Sequence, residues 1–322
     1  MDEVLIATLL ASTLRVSTPL ILCALAGTVC ERAGVIDLGL EGKMLLTAFA
    51  AAAVGVTSHS LALALLAAIV VGVLLSMLHG YACVSHTGDH VVMGMAISMT
   101  AAGLTVVLGI AWFAQGGQTP PLPEDVRLKP MFDAAGVALR EVPLIGPIVG
   151  IGLLGHNAFV YGAFVLVAFV WWLLYRTRFG LRLRATGENP AMVDAAGVSV
   201  PGMRYRALAI NGVLCALAGA YLVLALNPSF IPNMTAGRGY MALAAMIFGK
   251  WHPIGALLAC LLFGLLEAVA IRLQGVVVPG LGEVPVQAIQ TLPYVLTVVL
   301  LAGFIGRAYA PKALGLPYIK ER

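Results

Sequence analysis

Residues 176–206 read R-T-R-F-G-L-R-L-R-A-T-G-E-N-P-A-M-V-D-A-A-G-V-S-V-P-G-M-R-Y-R, with long apolar runs on both sides. Six of the 19 Lys and Arg residues fall here: Arg176, Arg178, Arg182, Arg184, Arg204 and Arg206. A loop so cationic resists translocation and stays on the cytoplasmic side of a membrane. Between the arginine clusters, Asn189 can cap a helix whose first residue is Pro190, because proline lacks only an N–H that would be orphaned there. Gly197 can end that helix. The pattern predicts about two turns of helix outside the bilayer.

The rest of the chain agrees with a membrane reading. Of 322 residues, 61% are hydrophobic and 11% charged. A soluble domain carries roughly 25% charged residues. Runs of about 20 apolar residues can each cross a bilayer as a helix. Lipid cannot satisfy free backbone groups, so an all-α bundle is expected. The ten-residue alternation of a barrel is absent. The net charge of +4 sits mainly in one loop and at the C-terminal end, which reports orientation and excludes nucleic-acid binding. Five cysteines lie in or beside apolar runs without metal-type spacing, so neither a disulfide framework nor a metal site is assigned. Asp2 and Glu3 stand where a signal peptide would be positive, so no cleaved signal is expected.

The helix at Gly187-Glu188-Asn189-Pro190, continued by Asp194, Ala195 and Gly197 after an Arg-rich exit, resembles the coupling helix of bacterial ABC importer permeases. The subfamily is the one serving branched-chain amino acids, simple sugars and nucleosides. The bland alternative is an ordinary capped surface helix. Two further stretches carry the resemblance. Residues 31–43 (E-R-A-G-V-I-D-L-G-L-E-G-K) and 142–148 (V-P-L-I-G-P-I) are similar to nucleoside-type permeases. The resemblance implies a single permease domain over 1–322, an outer loop at 115–157 and a coupling helix within 186–200. It also implies partners: an ATPase subunit that binds ATP and Mg, a second permease chain, identical or related, and an extracytoplasmic solute-binding protein. The substrate it favours is a nucleoside or purine, with sugars and branched-chain amino acids behind. This chain carries Asp89-His90 and Ser98 where relatives often have Asn-Gln and Asn, which puts the exact substrate in doubt.

No G-x-x-x-x-G-K-[ST], nucleophile elbow, H-E-x-x-H or C-x-x-C occurs, so no enzyme activity and no cofactor is expected of this chain. A self-sufficient secondary transporter or channel would share the composition but leave the capped helix unexplained.

About nine spans are expected: Val4–Gly27, Met44–Val56 extended by preceding residues, Leu61–Val84, Val91–Ala114, Ala158–Tyr175, Ala207–Leu226, the short Tyr240–Gly249, Ile254–Leu273 and Pro285–Gly306. With the basic tail inside, the N-terminus falls outside; the resemblance implies that the membrane is a bacterial inner membrane. Arg15, inside the first span, must face protein or snorkel. Residues 31–43 read either as a broken helix beside the pathway or as a short turn whose charges are solvated. Asp37, Glu41, Ser98, Asn211, Asn227 and Glu267 are the candidate pathway residues, since polar groups in a span either line a polar path or bond another helix. For Glu267 the competing role is a helix–helix lock in the dimer. Arg272 follows Glu267 by five residues, poor spacing for a pair on one helix. Trp112, Phe113, Phe230 and Tyr240, placed near the outer ends, are candidates to stack on a base. His79, His86 and His90 do not form a recognised zinc pattern, with His86 and His90 expected in a loop broken by Gly88.

Overall fold

The computed structural model describes residues 2–132, 146, 148–273, 277–278, 282–283, 291, 295 and 309–320. The expected last span Pro285–Gly306, most of the 142–148 stretch and much of the polar loop Gln274–Val284 lie outside the described residues.

Helix α1 (Asp2–Arg32) runs unbroken through Arg15 and Pro19. At about 1.5 Å per residue it is long enough to cross a bilayer and project beyond it. Arg15 is exposed but not without a partner: its guanidinium donates to the Gly155 carbonyl at 3.2 Å. Helix α2 (Leu40–Ser58) starts earlier than its apolar run, taking in Glu41 and Lys43. Helix α3 (Leu61–Gly80) is capped by the Ser60 side chain and continues as a π-helical turn, Tyr81–Ser85. Helix α4 (His90–Phe113) is capped by Asp89, which accepts from Val91 and Val92.

After another π-helical turn at Ile148–Leu153 come α5 (Ala158–Arg176), α6 (Arg178–Glu188), α7 (Pro190–Ala195) and α8 (Val200–Tyr221), the last extended by a π-helical turn to Leu226. Helix α9 (Arg238–Phe248) has 11 residues and α10 (Pro253–Leu273) has 21. A minimal strand pair, β1 (Val277–Val278) and β2 (Gly282–Glu283), follows. Seven of the described helices are long and apolar enough to span.

The bundle has an inner and an outer set. The spans containing α1, α2 and α8 are 67%, 67% and 78% buried, whereas those of α3, α4, α5 and α10 are 22–33% buried and leave most of their surface uncovered by this chain. Inner helices are therefore rich in small residues. Where α3 crosses α8, Gly72 and Gly212 meet backbone to backbone, and a Cβ on either would collide with the other's carbonyl.

The proline-rich segment is a bonded cap and not a free loop. Thr119 N–H donates to Phe230 O at 3.1 Å, Leu122 N–H to Pro228 O at 2.7 Å and Leu128 N–H to Leu224 O at 2.9 Å. These bonds give donors to carbonyls at the end of α8 and in the chain after it, which would otherwise be left unpaired.

Candidate functional site: a displayed helix and a buried ionic connector

The arginine-rich stretch is more helical than its sequence suggests. Thr177 caps α6 through Gly180 N–H at 3.0 Å, so Arg178, Arg182 and Arg184 lie on a helix and not in a loop. Arg184 turns back to the Leu174 carbonyl at 3.0 Å and lies over the Tyr175 ring at 4.6 Å. Arg204 is fully buried and donates to Leu316 O at 3.1 Å. The expected short helix is present as α7. Asn189 Oδ1 accepts from Met192 N–H at 3.2 Å, Pro190 occupies the first turn, and Gly197 closes the turn with φ +77°. Val193 anchors α7 inward, while Glu188, Met192, Ala195 and Ala196 face outward.

Gly187 fixes α6 and α7 to the body of the molecule. It is buried, and a Cβ there would collide with the Arg32 carbonyl. Its own carbonyl accepts from Ala313 N–H at 2.8 Å, and Gly34 O accepts from Gly315 N–H at 3.0 Å. The C-terminal tail 309–320 is thus strapped across α7 and the end of α1. Lys320 Nζ approaches Asp194 at 3.6 Å across the rim of a cleft of about 310 Å³, which Gly197, Ser199, Pro201 and Tyr318 also line.

Residues 31–43 form neither a broken helix nor a solvated turn. Glu31 accepts a 2.5 Å hydrogen bond from Trp251 Nε1, just past the C-terminal end of α9. Glu41 accepts from Gly237 N–H at 2.8 Å and Gly239 N–H at 2.6 Å, at the N-terminal end of α9. The connector 33–39 therefore runs along the full length of α9, about 16 Å for its 11 residues. That is roughly half a hydrocarbon core. Helix α9 is a half-helix whose positive end meets a carboxylate. Asp37 of the connector and Lys43 in the first turn of α2 are both fully buried and paired at 2.6 Å. Lys43 also donates to Asn211 Oδ1 at 3.1 Å, and Ser76 donates to the same oxygen at 3.0 Å. Asp37 Oδ1 accepts from Gly39 N–H at 3.0 Å, holding the turn into α2. Each ion is compensated by further hydrogen bonds, without which burial of the pair would be costly.

The candidate pathway residues thus divide. Asp37 and Asn211 share one network. Ser98 lies beside it, half-buried, donating to Gly94 O at 3.1 Å, with its backbone packed on Gly42. Asn211 is deep, because α8 begins at Val200 and not near Ala207. Glu41 belongs to the start of α9, where Glu267 pairs with Arg238 at 2.9 Å. That partner is within this chain, and it is not Arg272, which donates to Thr8 Oγ1 at 2.8 Å. Asn227 stands apart and bonds only its own helix end, at Leu222 O, 3.1 Å. Of the aromatic candidates, Phe230 is buried edge-on against Phe49 at 5.2 Å, and Trp112 stacks on Phe49 at 5.9 Å. Tyr240 is in the first turn of α9, with its hydroxyl 4.0 Å from Met95 Sδ.

Sequence reasoning missed Lys43, Arg238 and Trp251. Lys43 pairs with Asp37 six residues back, which is not a helical spacing, and with Asn211 168 residues on, while the partners of Arg238 and Trp251 lie 29 and 220 residues away, beyond any local signal. His252, beside Trp251, has its pKa lowered by burial and by the charge of Arg32, and its ring lies 4.9 Å from that of Tyr175.

The chain is thus a helical membrane protein with a half-helix beside buried ions and a short capped helix displayed on an arginine-rich face. The family described as branched-chain amino acid transport system / permease component matches residues 9–305, and the chain belongs to that family of ABC importer permeases. It is 37% identical to the nucleoside ABC transporter permease protein NupC of Lactococcus lactis subsp. cremoris, covering 98% of this chain and 97% of that one. It is also 37% identical to the guanosine ABC transporter permease protein NupQ of Bacillus subtilis, covering all of both. The Haloferax volcanii permease protein TsgC13, provisionally named for glucose, is 32% identical over 98% of each chain. A solved ABC transporter in an inward-facing conformation shares the fold, with TM-score 0.50 and 16% identity over 92% of this chain and 85% of that one.

Proposed function

We propose that this chain is the membrane subunit of an ATP-driven importer of nucleosides, working with a second permease chain, a separate ATPase and a solute-binding protein. Its full-length identity to NupC and NupQ supports the substrate class. The observation that carries the mechanism is α7, a capped helix with a small, exposed outer face seated on buried Gly187. In this reading the arginine-rich face and the tail are cytoplasmic, the N-terminus is extracytoplasmic, and the membrane is the bacterial inner membrane.

The ATPase groove receives Met192, Ala195 and Ala196. ATP and Mg are held elsewhere on that ATPase, and this chain supplies no reacting group. Closure of the ATPases moves α7, and Gly187 passes the motion to Arg32 and Gly34. The connector 33–39 then shifts against α9, whose two ends Glu31 and Glu41 hold. Such a displacement would alternate access beside the Asp37–Lys43–Asn211 network.

The test is uptake of labelled guanosine in cells carrying only this system. Uptake should vanish when the ATPase gene is deleted, and unlabelled adenosine or guanosine should compete. Uptake that survives the deletion refutes an ATP-driven importer. Competition by ribose or glucose in place of nucleosides would move the substrate to the class named for TsgC13.

A further inference from the structure

Three ligand-bearing side chains converge where α3 gives way to α4, and none takes part in the transport reading above. His79, Cys83 and His90 each offer a ligand atom, and these atoms lie within 4.8 Å of one another. His79 and Cys83 are four residues apart, so the continuous helix and π-helical turn place them on one face. Gly88 lies in the reversal that follows, and Asp89 caps α4, which makes His90 its first residue and returns its ring to His79 at 6.2 Å between centroids.

All three side chains are buried: His79 is 0%, Cys83 1% and His90 4% exposed. Each ring has one polar neighbour, Asp37 for His79 and the Ile36 backbone for His90, and among the described residues the other nitrogen of each ring has no hydrogen-bond partner. A buried imidazole nitrogen without a partner is unusual, because leaving such a group unsatisfied is costly. Asp37 Oδ1 stands 3.4 Å from His79 Nδ1. A carboxylate behind a histidine is the arrangement that orients an imidazole toward a metal.

We infer that His79, Cys83 and His90 bind a zinc-class cation, with Asp37 orienting His79. Two imidazoles and one thiolate suit a borderline-soft ion without redox chemistry. At zinc–nitrogen distances near 2.0–2.1 Å and zinc–sulfur near 2.3 Å, tetrahedral ligand atoms stand roughly 3.3–3.8 Å apart. Side-chain rotations of about 1 Å would draw the present cluster to that spacing. Binding releases the Cys83 thiol proton to solvent and moves no electrons. Residues 85–89, all exposed, lie directly over the site and give the ion a way in. The ion would pin the start of α4 to the end of α3 and, through Asp37, to the ionic connector.

The experiment uses the full-length, tag-free permease in detergent, stripped with a chelator and titrated with zinc against a chromophoric competitor. One zinc per chain is expected. Cys83→Ser and His90→Gln should each weaken binding at least about tenfold, while His86→Ala, altering an exposed neighbour, leaves it unchanged. Cobalt(II) loaded into the wild-type protein should show thiolate-to-metal charge transfer. No saturable zinc uptake, or uptake that Cys83→Ser and His90→Gln leave unaltered, overturns the site. If a variant loses its monodisperse elution peak, the wild-type cobalt spectrum decides, and absence of the thiolate band then overturns it.

Discussion

Residues 31–43 and 176–206 look alike as sequence. Each is a charged, glycine-containing interruption between apolar runs. In the folded protein they do opposite things. The first seals its charges: Asp37 and Lys43 have no exposed side-chain surface, and Glu31 is buried against Trp251. The second displays most of them: Arg178, Arg182, Glu188 and Arg206 are exposed, Arg184 folds back on Leu174 and Tyr175, and Arg204 is buried. A charge that is sealed requires its partner and is unforgiving of substitution. A charge on display is screened by solvent and contributes little to folding, which leaves it free to meet another protein. The two regions touch at Gly187 and Gly34, so a force applied to the display side reaches the sealed side directly.

The largest expected effect tests the sealed side. Lys43→Met leaves Asp37 ionised without its 2.6 Å partner. We predict a loss of about 3–5 kcal/mol of stability, read as a large fall in melting temperature of the purified protein. Adding Asp37→Asn, which keeps an acceptor for Gly39 N–H, should restore most of it. A Lys43→Met protein that melts like the wild type would mean the pair is not buried as described.

Ala195→Trp probes the display side. The residue is exposed, so the melting temperature should stay near that of the wild type. Overfilling a close interface costs about 1–3 kcal/mol, so co-purification with the ATPase should drop and transport should cease. Normal substrate-stimulated ATP hydrolysis in reconstituted membranes would return α7 to the status of a plain surface helix.

Glu41→Gln sits between these extremes. It keeps an oxygen near Gly237 and Gly239 but removes the charge from the end of α9. A carboxylate at a helix N-terminus contributes roughly 0.3–1 kcal/mol, up to about 2 when partly buried. We expect a modest drop in melting temperature with a clear loss of uptake, because α9 loses a hold at one end only. Equal uptake by wild type and variant would remove Glu41 from the mechanism.

Lys320→Ala should do least. Lys320 is 73% exposed and its contact with Asp194 is 3.6 Å. Such pairs contribute about 0–1 kcal/mol, so neither melting nor ATPase binding should change measurably. A strong phenotype would show that the tail acts at the ATPase surface and is more than a strap.

Much of this was legible in the chain itself. Apolar runs of sufficient length mark the spans, since bilayer thickness sets helix length. Asn189 with Pro190 marks where α7 starts, because capping is chemistry between residues two or three positions apart. The shortness of α9 was visible in its run from Tyr240 to Gly249. The pairings of Glu267 and Glu31 were not, for Arg238 and Trp251 become their neighbours only when α9 lies against α10 and the end of α1.

Sequence by itself therefore determined that this is a helical membrane protein with a cationic face and one displayed helix, because composition, length and capping are local quantities. Only tertiary structure decided which charges are sealed. Burial is a property of what packs around a residue, and Lys43 meets Asp37, Asn211 and the Ser76 network across three separate elements. The same holds for His79, Cys83 and His90, whose spacing matches no recognised zinc pattern until a π-helical turn and a capped helix start bring them together.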